Sequence, residues 1–139
     1  MIALLNPNTS AATPASMLSI AQETVGPNVR VRGFTAPYGA PLITDPEALA
    51  QAEDAVVSLA PHLSKAWAVI VAAFGDPGVR ALRERLPMPV TGLAEAGMQE
   101  AAKGGRPYAV VTTTPDLVDH IAQTAVLHGH ATFIGTWTT

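Results

Sequence analysis

The longest uninterrupted apolar stretch of the chain ends in a run of turn-forming residues. Nine apolar residues at 66–74 are followed by Gly75, Asp76, Pro77 and Gly78. A continuous apolar run bounded by turn residues is typical of a strand buried on both faces in the middle of a parallel sheet. We expect Asp76 to cap the next helix and Pro77 to take its first position, where no N–H donor is needed. The stretch therefore predicts a strand, a tight turn and a helix, and this kind of junction binds ligands in open α/β sheets.

The rest of the chain alternates between strand-like and helix-like segments. Further strands are predicted at 2–5, 29–34, 89–92, 108–111 and 132–134. Helices are predicted over 79–86 and 95–103, and after the candidate caps Thr9 or Ser10, Asp45 and Thr114. Because strict alternation implies right-handed crossovers between parallel strands, the chain is predicted to be an α/β protein. The expected architecture is a three-layer lobe with a parallel sheet, of the flavodoxin-like or Rossmann-like type.

The first helix and the loop after the second strand carry more detailed expectations. The helix is predicted to reach about Thr24, with Met17, Ile20 and Ala21 facing the core. The segment 35–44 contains prolines and a glycine, so it is predicted to be a loop. Long loops in compact domains often cover a site, and we expect the same of this one.

Gly104 and Gly105 mark a candidate break between two lobes. We predict a complete first lobe over 1–103 and an incomplete second lobe of the same type over 104–139. The second segment contains only two predicted strands, which bury too little surface to form a core by themselves. We therefore expect the remainder of that lobe to lie after Thr139 or to be supplied by a partner chain.

Composition argues against several classes of function. Apolar residues make up 48% of the chain and charged residues 14%, which indicates a well-buried globular protein. The net charge of −3 and the scattered Lys and Arg residues argue against nucleic acid as a partner. No apolar run approaches the roughly 20 residues that span a bilayer, and the N-terminus lacks the basic segment of a signal peptide. We expect no membrane partner and a cytoplasmic location. The chain contains no cysteine, which excludes disulfides, thiolate metal sites and cysteine catalysis within it.

Polar turn residues occupy the carboxyl ends of three predicted strands, at 6–10, 74–78 and 112–115. Free N–H groups and the positive end of the helix dipole attract anions at such ends, and Asn and Thr side chains add neutral donors. The same residues also serve as plain helix caps, and either role fits any single junction. Two polar junctions facing one cleft favour a small carboxylate or amide ligand. The chain lacks the glycine-rich phosphate-binding patterns, which argues against dinucleotides and nucleoside triphosphates.

The histidines are not predicted to bind a metal. His120, His128 and His130 cluster late in the chain, but their spacing matches no usual ligand pattern and no acidic residue is placed to complete a set. A solvated helix face and loop explains them better, and the helix dipole explains His62 at a predicted helix end. Asp76 keeps two interpretations, because a general acid or base and a helix cap fit its position about equally well.

Four motifs follow one another along the chain. They are LNPNTS at 5–10, AAFGDPG at 72–78, PVTGLAEA at 89–96 and VVTT at 110–113. As an ordered set they resemble the Asp/Glu/hydantoin racemase superfamily, and within it the hydantoin and allantoin racemase branch. The set covers the chain from end to end and is quite specific, whereas any one motif alone is weak.

The resemblance implies two pseudo-symmetric α/β lobes with the substrate between them, and a reaction that needs no metal or organic cofactor. Two cysteines, one from each lobe, would face opposite sides of a substrate stereocentre, where one thiolate removes the α-proton and the other thiol returns one. A thiol suits this because surrounding donors can bring its pKa near neutrality. The substrate would be a hydantoin, an amino acid or a related carboxylate or ureide. By the same resemblance it would be held by Asn8, Thr9, Ser10, Phe74, Gly75, Asp76, Thr112 and Thr113.

The sequence departs from the family pattern in both acid–base groups. The strand before Phe-Gly-Asp-Pro-Gly ends in cysteine in the family, and here that position is Ala73. The second cysteine of the family belongs to a later part of the second lobe. We therefore predict little or no racemisation by this chain, which could be a fragment, a degenerate homologue or a Cys→Ala variant. The competing hypotheses are a non-catalytic protein that binds a small carboxylate or ureide and a purely structural subunit. Apolar surface left by the missing half leads us to expect a homo-oligomer.

Overall fold

The computed structural model describes residues 1–10 and 12–139, along which strands and helices alternate. The strands are β1 Ile2–Asn6, β2 Val31–Thr35, β3 Ala68–Val71, β4 Val90–Gly92, β5 Tyr108–Thr112 and β6 Phe133–Thr138. The α-helices are α1 Thr13–Val25, α2 Pro46–Ser58, α3 Val79–Arg85, α4 Leu93–Ala101 and α5 Val118–Leu127. Short 3₁₀ helices occupy Ala60–Leu63, Lys103–Gly105 and Pro115–Leu117. Within these described residues, no helix is both long enough and apolar enough to cross a membrane.

β1 lies inside a four-stranded parallel sheet whose order is β2-β1-β3-β4. Ile2 is in register with Val31 of β2 on one side and with Ala68 of β3 on the other. This order matches the beginning of the flavodoxin-like doubly wound topology, in which ligands bind beyond the carboxyl ends of the strands where the order reverses. Here the reversal lies between β1 and β3. The predicted α/β class with a parallel sheet is confirmed.

Alternate residues of β1 and β3 point to two different layers of helices. Leu5 and Val71, which are paired in register, are fully buried in the cluster that α2 and α3 complete. Leu4 and Ile70, also paired, belong to a second cluster on the side of α1. Apolar burial on both faces explains why the sequence at 66–74 is uninterrupted rather than alternating. Helices therefore flank the sheet on both sides, as the three-layer prediction requires.

β5 and β6 form a second, two-stranded parallel sheet. Tyr108 pairs with Phe133 and Thr112 with Thr138, with an irregularity in the register after Tyr108. One face of this pair is covered by α4 and α5, and the buried side chains between them are Met98, Tyr108, Ile121 and Ala125. α4 follows β4 of the first sheet and contributes Met98 to the core of the second. The predicted lobe boundary at residue 103 stays a prediction.

The helix starts agree with the predicted caps in one case and differ in another. Asp45 caps α2 as predicted, because its Oδ1 accepts a hydrogen bond of 2.8 Å from a backbone N–H in the first turn. The first helix begins at Thr13 with Ala12 in the cap position, so the prediction of Thr9 or Ser10 as its cap is wrong. The segment 6–10 instead makes hydrogen bonds of its own, described below.

The inward face of α1 differs from the predicted one. Ile20 is 64% exposed, whereas the side chains that pack on the sheet are those of Met17, Leu18, Ala21 and Val25. At 100° per residue these four positions define one stripe, and position 20 lies about 60° beyond its edge. The prediction of Ile20 as a core residue is therefore wrong, and those of Met17 and Ala21 are confirmed.

The predicted cap at Asp76 does not begin the helix that follows it, whereas the one at Thr114 does. α3 begins at Val79, directly after Gly78, whose φ of 76° lies in the left-handed region. Asp76 also has a positive φ, 50°, and lies inside the turn rather than at the cap of α3. Thr114 takes the cap position and Pro115 the first position of the 3₁₀ helix Pro115–Leu117, as predicted, but the Thr114 side chain makes no capping bond and α5 itself begins at Val118. Only after β3 is the turn between strand and helix longer than the cap-then-proline pattern indicates.

Candidate functional site

A cavity of about 460 Å³ lies beyond the carboxyl ends of β1, β3 and β5. It brings together Asn8, Ala73, Phe74 and Thr112, four residues from the three predicted junctions. The rest of the lining is Leu42, Ile43, Leu49, Ala72, Leu93, Val110, Val111, Thr114 and Leu117. Among the residues that the structure describes, this lining has no ionisable side chain; its polar side chains are those of Asn8, Thr112 and Thr114.

The loop after β1 is held by its own first residue. Asn6 is only 2% exposed, and its Nδ2 donates to the backbone oxygen of Asn8 at 2.9 Å and to the Asn8 Oδ1 at 3.0 Å. The same Oδ1 also accepts from the backbone N of Ser10 at 3.0 Å. The carboxamide oxygen of Asn8 thus accepts two bonds, one from Asn6 and one from Ser10. The Nδ2 donors of Asn8 are therefore the part of its side chain that can serve a ligand. Asn6 therefore positions Asn8 at the cavity.

Thr9 connects this loop to the segment 35–44. Its backbone N donates to the oxygen of Ala40 at 3.1 Å, and its hydroxyl donates to the oxygen of Gly39 at 3.4 Å. From the same segment, Leu42 and Ile43 contribute to the cavity wall. The predicted covering loop therefore borders the cavity, and Thr9 holds that loop instead of lining the cavity itself.

The β5 end of the cavity is formed by a pair of hydroxyls. The Oγ1 atoms of Thr112 and Thr114 lie 2.6 Å apart, and the backbone N of Thr114 donates to the Thr112 Oγ1 at 3.1 Å. Thr113, between them, is exposed and is not part of the lining. Of the two predicted threonines, the structure therefore brings Thr112 to the cavity and leaves Thr113 outside it. Thr114, predicted as a helix cap, joins the lining.

The β3 end carries Ala73 and Phe74 and then turns sharply. The backbone N of Asp76 donates to the oxygen of Ala73 at 3.1 Å, which closes the turn. Gly75 has a φ of 155°, and a Cβ at this position would lie 3.0 Å from the Leu49 Cδ1. The positive φ, which L side chains rarely adopt, favours glycine here, and the turn fixes where Ala73 and Phe74 enter the cavity.

Asp76 caps α4, a helix that begins 17 residues after it in the sequence. Its Oδ1 accepts from the backbone N of Ala94 at 2.8 Å and its Oδ2 from the backbone N of Glu95 at 2.7 Å. Burial raises the pKa of Asp76 above its usual value, although these two N–H donors oppose the shift. A carboxylate of this chain thus occupies the anion-attracting end of α4. Asp76 is therefore a helix cap, but of α4 rather than of the next helix, as was expected from the sequence.

Gly75 and Asp76 line a second cavity of about 700 Å³ on the other side of the turn, together with His120 and His128. The His120 Nε2 lies 2.9 Å from the oxygen of Gly75, so α5 contacts the β3–α3 turn directly. One ligand atom each from Asp76, Glu95 and His128 lie within 4.8 Å of one another. Sequence reasoning missed this cluster, because its members are 19 and 33 positions apart in the chain and only packing brings them together.

Comparison with known proteins assigns the family. The family model described as Asp/Glu/hydantoin racemase matches residues 2–135. The chain belongs to this family. It is similar to the hydantoin racemase of Paenarthrobacter aurescens, with 30% identity over 125 residues that cover 86% of this chain and 52% of that protein. The family resemblance seen in the four motifs is confirmed.

Solved structures of two allantoin racemases share the fold of nearly the whole chain. The enzyme from Klebsiella pneumoniae superposes with a TM-score of 0.92 at 27% identity, over 99% of this chain and 57% of that one. The enzyme from Pseudomonas fluorescens gives the same TM-score and identity and is covered to 59%. The chain therefore spans about half the length of the curated relative and somewhat more of each solved structure.

Proposed function

We propose that this chain binds a small amide- or ureide-containing molecule of the hydantoin class, or a related carboxylate, in the 460 Å³ cavity, and that it does not racemise it. The observation that carries the proposal is Ala73. It lies in the cavity wall beside Asn8 and Thr112, at the position where the family resemblance places the first proton-transferring cysteine.

The chemistry of the lining supports binding. Asn8 and Thr112 offer neutral hydrogen-bonding groups, which suit the carbonyl and N–H edges of a ureide, and they approach from two different strand ends. The remaining wall is mostly apolar, and a cavity of this size lies within the range of small-molecule sites, about 300–1,000 Å³. Phe74 and the apolar residues of the segment 35–44 would exclude water from the bound ring.

The same lining argues against proton transfer. A general base must change protonation state near the working pH, and a methyl group has no such state. The Asn and Thr side chains at this cavity orient a ligand but do not titrate in that range. Asp76, the nearest carboxylate in sequence, lines the other cavity and uses both oxygens to cap α4. We therefore propose that this chain keeps the ligand-binding groups of a racemase site without its acid–base groups.

Binding is tested by titrating the ¹⁵N-labelled chain with hydantoin and with allantoin and recording backbone amide shifts. We expect saturable shifts at Asn8, Phe74 and Thr112, and at least a tenfold weaker affinity in Asn8→Ala and Thr112→Val. Thr113→Val is the matched control, because that hydroxyl lies outside the cavity. The absence of saturable shifts up to 10 mM ligand, or equal weakening by the control, would overturn the proposed binding.

The absence of proton transfer is tested by hydrogen–deuterium exchange at the stereocentre of allantoin in D₂O, followed by NMR. The unaltered chain is expected to exchange no faster than buffer. Ala73→Cys adds one thiol at the cavity wall and is expected to promote exchange in one enantiomer without inverting it, whereas Ala73→Ser is not. Exchange above the buffer rate by the unaltered chain would contradict the second half of the proposal and leave the binding test unaffected.

A further inference from the structure

We infer that Asp76, Glu95 and His128 form a binding site for a divalent transition-metal ion of the Zn²⁺ type, separate from the ligand cavity described above. One nitrogen or oxygen atom from each residue lies within 4.8 Å of the other two. The three residues come from the β3–α3 turn, the first turn of α4 and the end of α5. An ion here would bind elements of both sheets at one point.

The donor set fits zinc better than calcium or magnesium. Zn²⁺ accepts imidazole nitrogen together with carboxylate oxygen and commonly takes three protein ligands and a water molecule. Ca²⁺ and Mg²⁺ prefer oxygen alone and more ligands than are grouped here. In a tetrahedral zinc site, neighbouring ligand atoms are about 3.4 Å apart, so groups that lie within 4.8 Å of one another must close by at most about 1.4 Å. His128 is exposed at the end of α5 and can make that adjustment by rotating its side chain.

The two carboxylates are held in place by groups behind them. Backbone N–H groups at the start of α4 fix both oxygens of Asp76, and the Arg83 Nη2 lies 2.6 Å from the Glu95 Oε2. Such outer hydrogen bonds are typical of metal-binding carboxylates and leave each oxygen a lone pair for the ion. With His128 neutral, Asp76, Glu95 and Arg83 sum to a charge of −1, which favours a cation. The partial neutralisation by Arg83 leads us to expect micromolar rather than nanomolar affinity.

The surroundings leave room for the ion and its water. All three residues line the 700 Å³ cavity, which is open to solvent beside the exposed imidazole of His128. His120 and Glu53 lie in the same wall. His120 bonds to the Gly75 oxygen, so it supports the turn that carries Asp76. The inference does not depend on what the other cavity binds.

The test is calorimetric titration of the untagged full chain with ZnCl₂ at pH 7.5, after treatment with a chelator. We expect one site of micromolar affinity and a melting temperature that rises with Zn²⁺. His128→Gln and Glu95→Gln should each weaken binding at least tenfold. His62→Gln is the matched control, because His62 is an exposed histidine of the 3₁₀ helix Ala60–Leu63, outside this cavity.

Three results would overturn the inference: no binding heat and no thermal shift at 1 mM Zn²⁺, unchanged affinity in His128→Gln, or equal weakening in His62→Gln. Because His128 is exposed, its substitution is expected to leave the fold intact, and circular dichroism of the variant checks this. Amide shifts on Zn²⁺ addition should concentrate at 75–76, 94–96 and 127–129. Shifts confined to other histidines would also contradict the site.

Discussion

The substitution Gly92→Ala should remove the cap of α4, although the capping residue Asp76 is itself left unchanged in the sequence. The backbone of Gly92 has φ −102° and ψ 157°, which any residue adopts, so alanine itself is not strained there. A Cβ at this position would, however, lie 2.1 Å from the Cγ of Asp76 and 2.3 Å from its Oδ1. Ordinary contacts are at 3.4 Å or more, so the carboxylate has to leave the end of the helix.

The expected cost follows from the bonds that are lost. Asp76 accepts two hydrogen bonds from backbone N–H groups, at 2.8 and 2.7 Å. Hydrogen bonds to a charged group contribute about 1.5–3 kcal/mol each, and loss of a helix cap typically costs about 1 kcal/mol. Because these contributions overlap and the freed N–H groups regain some water, we expect Gly92→Ala to lower the free energy of unfolding by about 3 kcal/mol.

The assay is urea unfolding followed by circular dichroism, with Gly97→Ala as the matched control. Gly97 lies in the same helix, and a Cβ there would meet only the Phe74 Cε2 at 3.8 Å, so this substitution should stabilise by up to about 1 kcal/mol. In an Asp76→Ala background the clash partner is absent, and Gly92→Ala should cost almost nothing. The reasoning would be refuted if Gly92→Ala alone changed the free energy of unfolding by less than 0.5 kcal/mol. It would also be refuted if Gly92→Ala had the same cost with Asp76 and with Ala at position 76.

Three further predictions concern the second sheet. The Tyr108 hydroxyl is buried without a hydrogen-bond partner among residues 1–10 and 12–139, so Tyr108→Phe should change the free energy of unfolding by between zero and about +1 kcal/mol, measured by urea unfolding. Burial also raises the pKa of Tyr108. The contribution of Tyr108 to the free energy of unfolding is therefore complete below about pH 10 and is lost as the pH rises through the pKa of Tyr108 in the folded protein. Tyr108→Phe should remove this loss of stability at alkaline pH, and a loss that persists in the variant would belong to another group. Val111 and Trp137 are paired in register and are 65% and 53% exposed. A second copy covering this face should give a dimer by light scattering that Trp137→Ser weakens at least tenfold, and a monomer at 100 µM would contradict it.

Two aspartates with the same local pattern show how far the sequence carries. Asp45 and Asp76 each precede a proline, and both were expected to cap the next helix. Asp45 does so, because its partner N–H is three residues away and the backbone between them is ordinary. After Asp76, Gly78 takes a left-handed conformation and lengthens the turn, and the carboxylate is directed to α4 instead. The local sequence predicts a cap correctly when the N–H group that the side chain binds is only a few residues away. It fails when packing brings N–H groups of a distant helix to the same side chain.

The candidate site divides in the same way. The meeting of the ends of β1 and β3 was predictable, because parallel strands of one sheet bring their carboxyl ends to one edge and polar residues follow each of them. β5 belongs to the second sheet, so the position of its end at the same cavity depends on packing between the two sheets. The sequence could not predict which of Thr112 and Thr113 faces the cavity, since the two residues are identical in type and adjacent in the chain. The side-chain period of a strand and the turn after it decide between them, and only Thr112 reaches the lining. The group formed by Asp76, Glu95 and His128 had no sequence signal at all.

The β3–α3 turn is fixed from several directions, and none of them uses the side chain at position 73. Asp76 bonds the first turn of α4, the Gly75 oxygen meets the His120 ring of α5, and Leu49 of α2 packs against Gly75. The residue at position 73 is therefore held at the same place in the cavity wall whether it is alanine or cysteine. A protein that positions this residue through neighbours can lose the reactive group and keep the shape of the cavity. That is the physical reason to expect ligand binding to survive in a chain that carries Ala73, and to expect one sulfur atom there to restore exchange at the stereocentre.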